Sequence, residues 1–328
     1  MMRSGEVSQS PFSGEAHSGV SPCIRVSMGI FAHNEERRIT HLLESLLGQS
    51  GSDGFALQEI FVVASGCNDR TEEIVRNWAN LDARIQLISE PHRNGKASSI
   101  NQVLRRYRGD VLVLVNADAS LFPDALTHLL AAFTGNDPAQ IACGRPVPEV
   151  RKDLAGLANG FLWSLHNRTL KTLSDLRLPN HCCDEFMAIR RGLVSSLPKN
   201  LINDGAYFAA VAALHGFSVR FSSNARVHVA TPGSVSELLA QRYRIVRGHR
   251  QIRRLLGIRP KTLNGICRER PEVAARIVWS EFAHQRFEVL AFLVVAVPIE
   301  ICANLLAYFD DFRRREYDPV WRRVGRAA

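Results

Sequence analysis

The residues with the clearest capacity for chemistry are Asn116 and Asp118, which follow an unbroken apolar run at 111–115. Such a run is typical of a strand buried on both faces of a parallel sheet. Ligands of open α/β sheets bind just beyond the carboxyl ends of the strands. Amide and carboxylate oxygens at that edge suit a hard divalent cation that shares its coordination with a phosphate. The pattern predicts a metal and phosphate site, with the alternative that Asp118 only caps a helix beginning near Pro123.

Five further segments place polar residues beside apolar runs. They are MGIFAHNEERRI at 28–39, VVASGCNDRTEEIV at 62–75, NGKASSINQVL at 94–104, INDGAYF at 202–208 and QRYRIVRGH at 241–249. Together with the Asn-Ala-Asp triplet, these pieces resemble, in this order, the family-2 glycosyltransferases. The resemblance covers about residues 23–258. It implies a GT-A fold and the transfer of a sugar from a nucleoside-diphosphate sugar.

On the donor side, the resemblance implies that Asn34 and Glu35 contact the nucleotide. Lys96 would lie near the diphosphate at a helix N-terminus, where backbone amides favour an anion. Relatives usually read Asp-Gly-Ser-x-Asp-x-Thr in the second segment; here Asp69 matches, whereas Ser65 replaces the base-reading aspartate. The family aspartate bonds the imide of uracil, so the resemblance favours a UDP-sugar. Because the Ser65 hydroxyl lacks the charge that strengthens this bond, a GDP-sugar stays open.

Simpler structural roles compete for these residues. Asn34 and Glu35 could be the N-cap and a first-turn acid of the helix that follows them. Asp69 could cap the helix that begins at Thr71, and Lys96 could be a solvated lysine in a polar loop.

The Asn-Ala-Asp triplet departs from the family's usual Asp-x-Asp. By resemblance, Asp118 takes the second acidic position and supplies the metal contact, while Asn116 replaces the first acid. The site has therefore lost one negative charge. We expect a divalent metal, Mn²⁺ or Mg²⁺, to arrive largely with the sugar nucleotide, whose phosphates supply that charge.

The last two segments would act on the acceptor. By resemblance, Asp204 is the catalytic base that deprotonates the acceptor hydroxyl opposite the leaving nucleotide, which gives inversion; a plain N-cap is the alternative. Gln241, Arg242 and Arg244 resemble the start of the family's Gln-x-x-Arg-Trp signature, whose guanidinium groups suit a diphosphate or acceptor. Ile245 replaces the tryptophan that stacks on the growing chain in processive synthases, so non-processive transfer is expected.

The segment His181-Cys182-Cys183-Asp184 combines side chains that can ligate metals. Adjacent residues cannot all point at one ion, and no second cluster completes a tetrahedron, so a zinc site is not expected. The resemblance instead implies an acceptor-side loop.

Hydrophobic periodicity supports this organisation. Strands are predicted at 26–31, 60–63, 85–88 and 111–115, alternating with helical patterns such as 95–107. This alternation predicts an α/β protein with a Rossmann-like, doubly wound, mostly parallel sheet, to which a C-terminal helical, membrane-associating extension is added. The expected division is a disordered tail at 1–22, a catalytic domain at 23–258 and a helical region at 259–328.

Composition limits the classes of partner. The net charge of +9 would suit nucleic acid, anionic lipid or phosphorylated substrates. The sequence contains no nucleic-acid-binding motif, so no nucleic-acid partner is expected. Its seven cysteines are scattered without a CxxC pair, which favours a reducing, cytosolic compartment.

The segment 287–309 is long and apolar enough to cross a bilayer, yet it contains Pro298 and Glu300. A crossing would also export the arginines within 313–326, against the positive-inside tendency. We therefore expect a re-entrant or interfacial helix on the cytosolic side of the cell membrane; a single-pass helix and burial in a homodimer are the alternatives. If the segment is only an anchor, truncation after Gln285 should leave a folded, donor-binding protein.

The sequence thus predicts an inverting, metal-assisted glycosyltransferase that adds one sugar per encounter to a saccharide or lipid-linked acceptor at the membrane surface. Two alternatives remain. A nucleotidyltransferase could use a similar sheet but gives Asp204 no role. A catalytically degenerate nucleotide-sugar-binding protein is suggested by Ser65 and Asn116, which replace charged residues.

Overall fold

The computed structural model describes residues 23–49, 54–149, 151–285 and 288–320. The tail predicted at 1–22, Phe287 at the start of the predicted apolar segment and the last part of the basic tail, 321–328, lie outside the described residues.

The described residues form one mixed sheet. Its strands are β1 Ile24–Ala32, β2 Phe55–Ser65, β3 Ile85–Glu90, β4 Val111–Asn116, β5 Ser120–Leu121, β6 Ile141–Pro148, β7 Phe186–Arg190 and β8 Arg220–Val229. They lie in the order β3-β2-β1-β4-β7-β6-β8-β5. The four predicted strands β1 to β4 pair in parallel, as expected. Strand β7 runs antiparallel to both β4 and β6.

The strands extend beyond the predicted apolar runs because their polar residues find partners. In β2, the buried carboxylate of Glu59 accepts a hydrogen bond from the Ser27 hydroxyl of β1 (2.6 Å) and another from the backbone N–H of Arg108. A buried polar group is tolerated when it is hydrogen-bonded in this way. Hydropathy alone does not predict this part of the strand.

Helices cover both faces of the sheet. They are α1 Ile39–Leu47, α2 Thr71–Leu81, α3 Lys96–Leu104, α4 Ala125–Leu130, α5 Leu154–Asp175, α6 Asp204–Leu214, α7 Val235–Leu256, α8 Leu263–Glu269, α9 Pro271–His284, α10 Glu288–Ala291 and α11 Val297–Phe312. Helices α1, α2 and α4 pack on one face, and α3 and α6 on the other. The two faces therefore carry separate apolar cores, as in a doubly wound fold.

Strands β1, β2 and β4 end at one edge of the sheet. Phe31 of β1 pairs with Asn116 of β4, and Ala32 pairs with Ala64 of β2. Because β1 has β2 on one side and β4 on the other, the chain connections diverge there and leave a crevice. The polar residues after these strands converge on that crevice.

The C-terminal helix, Glu288–Phe312, consists of α10, a π-helical turn at Phe292–Ala296 and α11. By length and composition it could cross a membrane, and 22% of its apolar window is buried. It lies alongside α7, where Arg242 pairs with Glu300 and Asp311 with arginines of α7. Its other face is exposed and apolar, with Leu293, Val294, Ile301, Leu305, Phe309 and Phe312.

Candidate active site

A cavity of about 630 Å³ lies at the carboxyl edge of β1, β2 and β4. We call it the donor cavity. Most of the site residues predicted from the sequence line it, namely Glu35, Ser65, Lys96, Asn116, Asp118, Asp204, Gln241 and Arg244. The fold therefore brings together residues that lie far apart in the sequence.

Ser65 ends β2 and is 7% exposed. Its backbone carbonyl accepts a hydrogen bond from Nδ1 of His33 (2.7 Å), which fixes the strand end. Its hydroxyl is buried and has no hydrogen-bond partner within the described residues. A buried, unsatisfied hydroxyl on a cavity wall is available to a ligand.

Asn34 does not line the donor cavity. It has a left-handed backbone, with φ 56°, and its side-chain oxygen accepts the N–H of Asn68 (2.9 Å). This bond links the loops after β1 and β2. The capping alternative for Asn34 and Glu35 is wrong, because α1 begins only at Ile39 and has no acid in its first turn.

Asp69 also lies outside the donor cavity; it precedes Arg70, the N-cap residue of α2, and bonds to the first residue of that helix. Its carboxylate accepts the backbone N–H groups of Thr71 (3.0 Å) and Glu36 (3.1 Å). These hydrogen bonds lower the pKa of Asp69 despite the opposing effect of partial burial. The residue thus orders the two donor loops without facing their cavity.

Lys96 is the cation at the centre of the site. Its Nζ lies 2.9 Å from Oδ2 of Asp204 and 3.6 Å from Oδ2 of Asp184. Burial lowers the pKa of Lys96, but the two carboxylates outweigh that effect and raise it, so the amine stays charged. The alternative of a solvated lysine is wrong.

Asp204 is not the N-cap of α6. The N-cap is Asn203, whose side-chain oxygen accepts a hydrogen bond from the backbone N–H of Ala206 (2.9 Å). Burial and the neighbouring Asp184 raise the pKa of Asp204, while Lys96 opposes them. Asp204 is therefore a buried carboxylate held by a lysine, and it is left available for proton transfer.

Asp118 is also not a helix cap, since α4 begins at Ala125 and its N-cap is Asp124. Beside it, the amide of Asn116 donates to Oε2 of Glu185 (2.7 Å). Burial, Asp184 and then Asp118 raise the pKa of Glu185 to about 8. Glu185 thus stands next to the position where the triplet lacks an acid.

Asn116, Asp118 and Glu185 offer the oxygen donors that a hard divalent cation prefers. Within the described ranges, no three His, Cys, Asp or Glu side chains form a metal site by themselves. The residues therefore fit a metal that takes its remaining ligands from another source, such as a diphosphate.

The three signature residues of α7 separate in space. Gln241 and Arg244 line the donor cavity, whereas Arg242 faces away from it and pairs with Glu300. The Arg244 guanidinium interacts with Asp184 and with other carboxylates of the site. Arg244 is thus placed to bind an anion in the donor cavity, and Arg242 is not.

A second cavity, of about 760 Å³, lies between α5, α7 and the C-terminal helix. We call it the apolar cavity, because its wall includes Leu162, Trp163, Leu165, Leu170, Ile245, Phe292, Val297, Ile301 and Leu305. Four residues line both cavities: Asp184, Glu185, Gln241 and Arg244. The two spaces therefore meet at these four side chains.

His166, His181 and His249 form a cluster on the wall of the apolar cavity. The ring centroids are 5.3 Å apart for His181 and His249 and 6.0 Å for His166 and His181. Burial lowers the pKa of His166 to about 3 and that of His181 to about 4, so both rings are neutral at pH 7. One nitrogen of each of the three rings has no hydrogen-bond partner in the described structure.

Sequence reasoning placed Asp184 only in an acceptor-side loop and did not assign a role to Glu185. Both precede β7, and the pairing of Phe186 with Val115 of β4 is antiparallel. An antiparallel strand brings its beginning, not its end, to the ligand edge. The expectation of a parallel sheet directs attention only to strand ends, and for that reason it overlooks these acids.

The segment after the C-terminal helix also reaches the donor cavity. Asp318, Pro319 and Val320 line it, and a Cβ on Gly95 would lie 2.7 Å from Pro319. Gly95 has φ 87°, so a side chain there would be both strained and crowded. The C-terminal region is thus part of the donor cavity, which changes the expectation that truncation after Gln285 leaves donor binding intact.

Comparisons with known proteins agree with this geometry. The family model described as glycosyl transferase family 2 matches residues 27–197. A dolichyl-phosphate beta-glucosyltransferase of Trichomonas vaginalis, ALG5D, is 32% identical over 103 residues, which are 30% of this chain and 32% of that protein. Beta-monoglucosyldiacylglycerol synthase of Nostoc sp. is 25% identical over 138 residues, which are 42% of this chain and 28% of that protein. The chain thus spans about a third of the length of these curated relatives.

Among solved structures, the mannosyltransferase PcManGT of Pyrobaculum calidifontis, in complex with GDP-Man and Mn²⁺, has a TM-score of 0.62 at 18% identity. The alignment covers 90% of this chain and 89% of that one, and it shows that the two share a fold. The expected GT-A architecture is therefore confirmed. The match to the family model extends over more than half of the chain, and with the ordered motifs it shows that this protein belongs to glycosyl transferase family 2.

Proposed function

We propose that the protein transfers a sugar, with inversion, from a nucleoside-diphosphate sugar to an acceptor hydroxyl at the cytosolic face of the membrane. The observation that carries the proposal is the meeting of the two cavities at Asp184, Glu185, Gln241 and Arg244. Donor and acceptor can enter from opposite sides and react at this junction.

The donor cavity suits a sugar nucleotide. The free hydroxyl of Ser65 would bond the base, with a UDP-sugar favoured and a GDP-sugar as the alternative. Lys96 and Arg244 would hold the diphosphate, since both cations face the cavity. Asp118 and Glu185, with the oxygen of Asn116, would hold a divalent cation that, when bound, neutralises charge on the diphosphate.

Transfer then needs one proton acceptor. The acceptor oxygen forms a bond to the anomeric carbon, and the bond from that carbon to the donor phosphate breaks on the opposite side. The acceptor proton passes to the carboxylate of Asp204, and the nucleoside diphosphate leaves with the bonding electrons. Lys96, at 2.9 Å, opposes the effect of burial and favours the ionised form of Asp204 that accepts the proton.

The position of the C-terminal helix supports attachment without a crossing. Glu300, in the middle of this helix, pairs with Arg242 of α7, and Asp311 near its end pairs with Arg250. Helix α7 is rich in arginine and cannot enter hydrocarbon beside its partner. In an interfacial position, the charged residues of the helix keep their contacts with α7 and the exposed apolar face contacts the lipid.

The replacement of the signature tryptophan by Ile245 supports the addition of one sugar per encounter. Ile245 lines the apolar cavity, where it offers an aliphatic surface and no ring on which a sugar chain could stack. The acceptor side is thus better suited to hydrocarbon than to a growing polysaccharide.

The purified protein should be incubated with UDP-glucose, UDP-N-acetylglucosamine or GDP-mannose, Mn²⁺ and a membrane lipid extract. Release of nucleoside diphosphate with labelled sugar in the lipid phase is the expected result. Release of pyrophosphate would instead reveal a nucleotidyltransferase. Donor binding without turnover in every combination would identify a degenerate sugar-nucleotide-binding protein.

A further inference from the structure

The apolar cavity extends away from the junction along α5. Asn159, Leu162, His166 and Thr169 repeat at helical spacing on its wall, so it follows about 15 Å of this helix. Its volume of about 760 Å³ lies within the roughly 300–1,000 Å³ typical of sites for small organic ligands. It is therefore long enough for a hydrocarbon chain, not only for a sugar ring.

The cavity is continuous with the exposed side of the C-terminal helix. Ile301 and Leu305 line it and are also 56% and 53% exposed, so the same side chains face the cavity and the surroundings. They belong to the apolar face that the proposed interfacial position places in lipid. The π-helical turn at Phe292–Ala296 changes the helix register beside the cavity, and Phe292 lines it.

Polar atoms without partners lie inside this apolar wall. The Asn159 amide nitrogen and Nδ1 of His181 belong to residues only 3% and 9% exposed, and neither atom has a hydrogen-bond partner in the described residues. Buried polar atoms of this kind normally have a partner. Neutral histidines and an amide can bond hydroxyl or ester oxygens of a ligand.

The cations that line the cavity are already paired. Arg242 pairs with Glu300, Arg250 with Asp311 and Lys261 with Glu269. At the junction itself, Asp184 lies beside two cations, Lys96 at 3.6 Å and Arg244, and Lys96 is shared with Asp204 at 2.9 Å. A phosphate head group would have to compete with these carboxylates for cations that are already paired, whereas an uncharged hydroxyl needs no cation.

We propose that the apolar cavity is the acceptor site and that the acceptor is a lipid with an uncharged, hydroxyl-bearing head group. This inference rests on the proposed function. The hydrocarbon chain enters between α5 and the C-terminal helix, and the head group contacts the histidine cluster. Its hydroxyl reaches the junction, where it is glycosylated.

Lipid binding can be measured without catalysis, because Trp163 lines the cavity. In mixed micelles, diacylglycerol with brominated acyl chains should quench the fluorescence of the Asp204→Asn protein. Trp163→Phe should remove this saturable quenching and leave only a background from the other three tryptophans, Trp78, Trp279 and Trp321. Unbrominated diacylglycerol should relieve the quenching, and polyprenyl phosphate should not.

The C-terminal helix offers a matched pair of variants. Leu305 lines the cavity, whereas its neighbour Leu306 does not, and the two are 53% and 46% exposed. Leu305→Gln should weaken quenching and raise the KM for diacylglycerol about tenfold, because apolar contact with the chain is lost. Leu306→Gln should behave as the parent, and the KM for the sugar nucleotide should not change in either variant.

Three results would overturn the inference: equal effects of the two leucine variants, quenching that Trp163→Phe does not remove, or displacement by polyprenyl phosphate. Saturable quenching in a protein that transfers no sugar would support the lipid site and count against the proposed function. Sugar transfer to water-soluble saccharides without saturable quenching would support the proposed function and count against the lipid site.

Discussion

The charge balance at the end of β4 depends on two residues, one at the end of that strand and one just before β7. Asn116 removes an acid from the triplet, and Glu185, which precedes β7, places one against the Asn116 amide at 2.7 Å. The carboxylate that is missing from the triplet is thus supplied from the start of the neighbouring strand, β7. The cation would then still meet two acids, Asp118 and Glu185, although they are no longer in one motif.

This arrangement predicts that the acid at position 185 can be replaced by an acid at position 116. Glu185→Gln keeps the hydrogen bond to Asn116 but removes the charge, so Mn²⁺ affinity in the presence of nucleoside diphosphate should fall roughly 10–100-fold. Asn116→Asp alone places two carboxylates in contact and should destabilise the protein when no metal is present. The double variant, Asn116→Asp with Glu185→Gln, has one acid again, and its Mn²⁺ affinity should lie within a few-fold of the parent's, as measured by calorimetry. Parental affinity in Glu185→Gln would remove Glu185 from the metal site.

Asp204 and Asn203 are neighbours with separable roles. Asp204→Asn should lower sugar transfer by about 10²–10⁴-fold, because a positioned base is lost, while donor affinity is retained. Asn203→Ala should cost about 1 kcal/mol of stability through the lost cap, and, although Asn203 also lines the apolar cavity, it should lower the transfer rate far less than Asp204→Asn does. Transfer rates and urea denaturation measured on both variants test this. Transfer at the parental rate in Asp204→Asn would show that another group is the base.

At the scale of elements, α7 connects the site to the C-terminal helix. Gln241 and Arg244 face the donor cavity, while Arg242, Arg247 and Arg250 pair with acids of the C-terminal helix. One helix therefore positions two residues of the donor cavity and a wall of the apolar cavity.

The elements also show what a sequence can predict here. The apolar runs of β2 and β4 and the polar residues at their ends are sufficient to place Ser65 and Asp118 at the ligand edge. Antiparallel β7 was not foreseen, because strand direction depends on tertiary pairing, and so Glu185 was not assigned. The ion pairs between α7 and the C-terminal helix, such as Arg242 with Glu300, join residues 58 positions apart and leave no local pattern.

The histidine cluster joins α5, the loop before β7 and α7, and it predicts acid sensitivity. The pKa values of His166 and His181, about 3 and about 4, lie below the roughly 6.5 of an unfolded histidine. At pH values between the folded-state pKa and the unfolded-state pKa, the unfolded chain binds more protons than the folded one. Stability is therefore complete above about pH 6.5 and falls with decreasing pH, by up to about 1.4 kcal/mol per pH unit for each histidine.

Urea denaturation at pH 7.5 and pH 5 tests this expectation. The parent should lose stability on acidification, and His181→Asn should lose less, because one depressed histidine has been removed. The exposed His215 provides the control, since His215→Asn should follow the parent. The same loss of stability in all three proteins would show that the cluster is not the source.

At the scale of the whole molecule, charge and apolar surface lie on different sides of the C-terminal helix. Three of its acids, Glu300, Asp310 and Asp311, contact α7, and its exposed leucines and phenylalanines face outwards. A helix that crossed the bilayer would have to separate Glu300 from Arg242 or take α7 into the hydrocarbon. Either choice would place charges where their transfer is costly.

An interfacial helix keeps both of its ends on the cytosolic side, and cysteine labelling can show this. In a background in which the exposed Cys23, Cys267 and Cys302 are serine, Arg270→Cys and Arg313→Cys place one thiol before and one after the C-terminal helix. A membrane-impermeant maleimide should label both in inverted vesicles and neither in intact cells, since arginines near the helix end favour the anionic cytosolic leaflet. The serine background controls for the remaining thiols. Labelling of the Arg313→Cys protein only from outside would establish a crossing, and the ion pairs with α7 would then have to be broken in the membrane-bound state.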